Sequence, residues 1–174
     1  FTIYTYLFSP VTRGSQADLF AGDAHFSPAE AYDRRHTLLD ECFAEATPFF
    51  TLHTEKKDYG CKLLARHGGI VVFRLANSRK WKHEVQFKEV DDRDEPSCLV
   101  IVDNREAGIQ SLCIQCKQKA FAQTRRVAAL LEEAFNRHLR PHRLRVGIQA
   151  KYHTSEFWQT VDKHAEGLDW VEFH

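Results

Sequence analysis

Apolar residues in this chain recur with a period of two over some stretches and of about 3.6 over others, the spacings of a strand face and a helix face. The change is sharpest between Cys98 and Leu139. Cys98-Leu-Val-Ile-Val-Asp103 is a short apolar run of strand character. Asn104-Arg-Glu-Ala-Gly108 supplies turn chemistry, and Ile109 to Cys116 resumes a strand-like run. From about Thr124, Val127, Leu130, Leu131, Ala134, Phe135 and Leu139 fall on one stripe of a helix. A hairpin feeding such a helix gives it a sheet on which to bury that stripe.

The remaining pattern predicts further elements on both sides. Phe1 to Phe8 alternates, with Ile3 and Thr5 on one side and Tyr4 and Tyr6 on the other, and suits a strand inside a sheet. Pro10 to His25 has little pattern and reads as a loop. Ser27-Pro-Ala-Glu30 is a capping box with proline at the first helical position. The spacing predicts one helix from there, burying Ala31, Leu38, Leu39, Cys42, Phe43 and Ala46 and stopped by Pro48. Phe49 to Thr54 reads as a strand. Cys61 to Arg66 and Ile70 to Leu75 flank His67-Gly68-Gly69, whose glycines allow a tight hairpin turn.

Glu84 to Val90 alternates as a single strand with Val85 and Phe87 inward. Pro141 ends the long helix, and Arg143 to Lys151 alternates with Leu144, Val146, Ile148 and Ala150 on one face. A further helix is expected from Thr154 or Ser155 through Val161, and a closing strand at Trp170 to Phe173. Strands followed by helices in this order imply an α+β domain: a mostly antiparallel sheet with two or three helices on one face.

The chain has 174 residues, enough for one domain burying roughly 70% of its unfolded surface. Residues 1–174 are therefore expected to form a single α+β domain, which can also serve as a module of a longer protein. No apolar run approaches the ~18 residues of a membrane span, and the opening strand lacks the basic leader of a signal peptide. Five scattered cysteines point to reduced thiols, hence a cytoplasmic setting. Formal net charge is zero, so no overall charge drives association. The charge is segregated, however. Lys117, Lys119, Arg125, Arg126, Arg137, Arg140, Arg143, Arg145 and Lys151 face only Glu132 and Glu133 in the same span, whereas Glu89 to Glu95 is acidic.

Three sets of residues carry candidate chemistry. Cys113-Ile-Gln-Cys116 with His138 and His142 has the residue types of a zinc site. On a strand, positions three apart point to opposite faces, and His138 lies about 20 Å along its helix, so no metal is expected there.

Ile114-Gln115-Cys116-Lys117 resembles the short Gln-x-Lys signature found in some nucleases with a restriction-enzyme-like core. That resemblance implies Mg²⁺ held by Asp94 or Glu95, with Gln115 and Lys117 on the next strand completing the site. A hairpin turning near Glu106 places Gln115 and Lys117 opposite Glu95 to Ser97.

The third set is basic. Lys80, Trp81 and Lys82 mix cations with an aromatic ring, and Arg137, Arg140, Arg143, Arg145 and Lys151 gather around one helix end and one strand face. Such groups neutralise phosphates while rings stack on bases. The leading reading is a cofactor-free, non-catalytic binding domain that presents a basic face to nucleic acid or to an acidic protein partner. The alternatives are the Mg²⁺-dependent nuclease and a protein-interaction module without nucleic acid.

Overall fold

The computed structural model describes residues 1–11, 27–44, 51–54, 57–85 and 88–151. Along Ser97–Asp103, strand β7, the side chains of Cys98, Val100 and Val102 are buried while Leu99 and Ile101 between them are half-buried. A strand with this alternation has one face on a core and the other outside it. Its neighbours repeat the pattern. Strand β1 (Thr2–Pro10) buries Tyr4 and Tyr6, β4 (Ile70–Asn77) buries Val71, Phe73 and Leu75, β8 (Ser111–Ile114) buries Leu112 and Ile114, and β9 (Leu144–Ala150) buries Leu144 and Val146. With β2 (Thr51–Thr54) and β3 (Lys57–His67) they form one antiparallel sheet in the order β2-β3-β4-β7-β8-β1-β9.

The helices lie on the buried face, so the expected α+β architecture holds. Helix α3 (Thr124–Leu139) turns Val127, Leu131, Ala134, Phe135 and Leu139 into the core, with Leu130 half-buried at its margin. Phe135 meets Phe43 edge to face at 5.8 Å, and Phe43 meets Phe73 of β4 at 5.9 Å, tying helix layer to sheet through aromatic contacts.

Two expectations are corrected. The first helix is two, α1 (Pro28–Asp33) and α2 (Arg35–Glu41), separated at Arg34 with φ −91° and ψ 8°. The capping box at Ser27 and Glu30 forms as expected, but Arg34 and Arg35 occupy the positions where an unbroken stripe from Ala31 needs apolar residues. With nothing there to bury, the helix is interrupted at this one residue, and α2 resumes the buried stripe at Leu38 and Leu39. The second correction concerns Glu84 to Val90, which is two strands. Strand β5 (Arg79–Val85) pairs antiparallel with β6 (Lys88–Asp94), and the ladder closes at Val85 opposite Lys88. Period-two alternation carries across a tight turn without interruption, so the pattern alone does not show the reversal.

β5 continues β4, and β6 leads into β7, as one ribbon that runs past the seven-stranded sheet. At its root the Asn77 N–H donates to the Pro96 carbonyl at 2.9 Å, and the buried Asn77 amide donates to the Ala120 carbonyl at 2.6 Å. The other end of the sheet is finished differently. Along β9, the Asn136 side chain of α3 donates to the Val146 carbonyl and accepts from the Val146 N–H, while the Glu132 carboxylate accepts from the Ile148 N–H. Helix side chains thereby occupy backbone groups on the outer edge of β9, the last described strand of the sheet, an edge of the kind that invites pairing.

Val11 follows β1, and the rest of the expected loop to His25 lies outside the described residues. So do Ala46, Pro48, Phe49, Phe87, the helix expected near Ser155 and the strand expected at Trp170. Among the described residues no helix is long and apolar enough to cross a membrane.

Candidate nucleic-acid interface

Because Leu144 and Val146 point into the core, Arg145 and Gln149 emerge on the face of the sheet opposite α1, α2 and α3. The register sets Arg145 beside Ser9 and Gln149 beside Thr5 of β1, and the Arg145 Nε donates to the Ser9 hydroxyl at 3.0 Å. The same alternation puts Lys62 of β3 and Arg74 of β4 on this face, directly opposite each other, both exposed. An Arg74 Nη donates to the Ser97 hydroxyl at 3.3 Å. Like charges opposed across a ladder repel, so this pair favours an anion laid over it. Arg74 and Arg145 lie four strand spacings apart across the sheet, about 19 Å, and eight residues apart along it, about 26 Å, so about 33 Å separates them. The surface between them combines exposed Ile3 and Leu7 and half-buried Leu99, Ile101 and Cys113 with the polar residues Thr5, Asp103 and Ser111.

The other expected basic residues are spread around the molecule. Arg143 leaves the strand period, because it caps a 3-10 turn (Arg140–His142) in the left-handed region at φ 57°. It shares that turn with exposed Arg140. Lys151 follows β9, exposed, with its N–H on the Ile3 carbonyl. Arg137 lies on α3, over the opposite face of the sheet, and pairs with Glu133 at 3.2 Å. Lys80, Trp81 and Lys82 are on β5, in register with Arg93, Asp92 and Asp91 of β6, and Arg79 is in register with Asp94. The acidic segment is thus paired in backbone register with the basic one, with both unlike (Arg79 and Asp94, Lys82 and Asp91) and like (Lys80 and Arg93, Glu84 and Glu89) residues opposite each other.

The residues of the nuclease resemblance also have definite places. The β7–β8 register pairs Val100 with Ile114, two residues away from the register expected for a turn near Glu106. Gln115 consequently faces Leu99: its N–H donates to the Leu99 carbonyl at 2.9 Å and its Oε1 accepts the Leu99 N–H at 3.1 Å. Glu95 lies about 13 Å further along that strand and accepts from the Ser78 hydroxyl. Asp94 and Lys117 are exposed. Cys113 sits on β8, but Cys116 falls beyond its end, exposed and 3.3 Å from the Thr2 hydroxyl. His138 and His142 lie at the far end of α3 with their rings 5.8 Å apart. Among the described residues no group of three His, Cys, Asp or Glu is placed to hold a metal.

A polar cluster that periodicity does not register sits at the β7–β8 turn. Asn104 is buried, and its amide donates to the His36 carbonyl at 2.8 Å and to Asp40 at 3.3 Å. That fixes its oxygen toward the Tyr6 hydroxyl and His36 Nδ1. His36 Nδ1 also meets the Asn104 carbonyl at 2.9 Å; with oxygen acceptors on both sides, Nδ1 carries the proton. Burial, reinforced by the Asp103 and Asp40 carboxylates, pushes the Tyr6 phenol upward and keeps it a donor. Asp40 in turn holds Arg66 at 3.0 Å. Asp103 grips Arg105 at two points, 2.9 Å and 2.6 Å, and these bonds hold its carboxyl below the usual aspartate value. The sequence signal was the turn residue Asn104 itself, read only as turn chemistry.

Comparison of the chain with models of known families, with curated proteins and with solved structures finds no match.

Proposed function

We propose that this chain is a non-catalytic binding domain that lays a single-stranded nucleic acid across the face of its sheet opposite α1, α2 and α3. The observation that carries this reading is the set Lys62, Arg74 and Arg145, exposed on one face around apolar Ile3, Leu7, Leu99 and Ile101. Cations meet phosphates and release counterions, while the apolar residues between them take the flat faces of unstacked bases. Groove recognition of a duplex uses a protruding element, whereas a broad sheet face suits an extended strand. Lys151, at the end of β9, extends the same cationic track. Five free thiols fit a reducing, cytoplasmic setting.

The test is fluorescence anisotropy with labelled single-stranded and duplex oligonucleotides at low and physiological salt. The expected result is tighter binding to single strands that weakens steeply with salt. Absence of binding to either at low salt overturns the reading, and the same face is then left to an acidic protein partner.

A further inference from the structure

The polar cluster around Asn104 forms the floor of a cleft of about 520 Å³ between α2, the Gly68-Gly69 turn and the β7–β8 loop. We propose that this cleft receives one amino-bearing nucleobase, turned in from a strand lying on the sheet face. The inference rests on the nucleic-acid reading above. A space of this size falls within the range of small-ligand sites, and its floor is already bonded. The Asn104 N–H donates to the Gly69 carbonyl at 2.8 Å, and the Asn104 side chain locks α2 through His36 and Asp40. Gly69 takes φ 79°, and a Cβ there would meet the Arg105 side chain at 3.1 Å and its backbone nitrogen at 3.3 Å. The two loops are therefore packed as closely as glycine permits, and the cleft wall is set before any ligand arrives.

Arg105 joins the cleft to the sheet face. It lines the cleft, yet both of its bonds to carboxylate run back to Asp103, which continues the half-buried positions of β7. Gripped at two points, the guanidinium is a fixed plane, and such a plane stacks on a ring. The charge at the mouth selects the ligand. Asp40, Glu41 and Glu106 stand beside Arg66 and Arg105, so carboxylates outnumber guanidinium groups and an isolated phosphate is repelled. An edge rich in N–H donors is attracted instead: carboxylates accept from the amino groups of bases. Asp40 already meets Arg66 and Asn104, and of the other two carboxylates Glu106 is the one next to Arg105 in the chain, placed to read the edge of a ring stacked there. Cytosine, adenine and guanine carry an amino group; uracil and thymine do not.

The experiment is an amide-resolved NMR titration of the protein with CMP, AMP, GMP, UMP and inorganic phosphate, repeated on Arg105→Ala, Glu106→Gln and, at an exposed cation outside both surfaces, Lys119→Ala. Arg105 is more than half exposed, so its truncation leaves the core intact. CMP, AMP or GMP should shift the amides of Gly68, Gly69, Asn104 and Arg105. Arg105→Ala and Glu106→Gln should each weaken this by about tenfold, the effect of one good contact, and Lys119→Ala should leave it unchanged. UMP or phosphate shifting the same amides equally, or no nucleotide shifting them, overturns the inference whatever the oligonucleotides do. Nucleotide shifts at the cleft without any oligonucleotide binding would instead keep the cleft and remove the sheet-face reading.

Discussion

Cys116 is exposed, and the hydrogen bond from Thr2 lowers its thiol pKa. Burial pushes Cys98 up to about 11 and Cys61 up to about 12, and it raises Cys42 as well. The thiolate is the reactive form, so alkylation of the native protein with iodoacetamide, read by peptide mass spectrometry, should label Cys116 well before those three. Faster labelling of Cys98 would contradict its place in the core. Asp103 gives a second expectation at this scale. Its carboxyl is depressed by Arg105, so the pair contributes stability above the unfolded carboxyl value, near pH 4. That stability is lost as pH falls through the lower folded value. A carboxyl-carbon NMR titration should therefore place the Asp103 midpoint below the ordinary aspartate value and return it there in Arg105→Ala. An ordinary midpoint in the native protein would remove the clamp.

Among the elements, α3 and the β7–β8 hairpin were legible because each has a strong period and a clear stop. Phe135→Ala should cost about 3–5 kcal/mol, the range for a large core truncation, measured by urea unfolding; a change below that range would mean that Phe135 does not pin helix to sheet. Other elements were hidden for identifiable reasons. The reversal between β5 and β6 preserves alternation, and the break at Arg34 shows only as a gap in a stripe. The cap on the β9 edge is made by polar side chains, Asn136 and Glu132, which periodicity assigns to solvent. Asn136→Ala should cost about 1–3 kcal/mol by leaving backbone groups without partners, and the exposed edge should raise aggregation on heating, seen by light scattering. A variant as stable and as dispersed as the native protein would show that the edge needs no cap.

At the scale of the whole molecule, sequence grouping and spatial grouping differ. Arg137, Arg140, Arg143 and Arg145 are near neighbours in the chain, yet a helix, a left-handed turn and a strand send them to different surfaces. Lys62 and Arg74, far from them in sequence, share a face with Arg145 because the strands pair in register within one sheet. Which cations share a face is a property of pairing register, and that is set by contacts no local pattern records. The central claim is therefore about this face, and the salt dependence of single-strand binding in Arg74→Ala/Arg145→Ala tests it most directly. Each phosphate contact contributes a slope of about −0.7 on a log–log plot for single strands. The double variant should bind more weakly than the native protein, with a slope shallower by about 1.4, two such contacts. A double variant with the native affinity and the native slope would contradict the account.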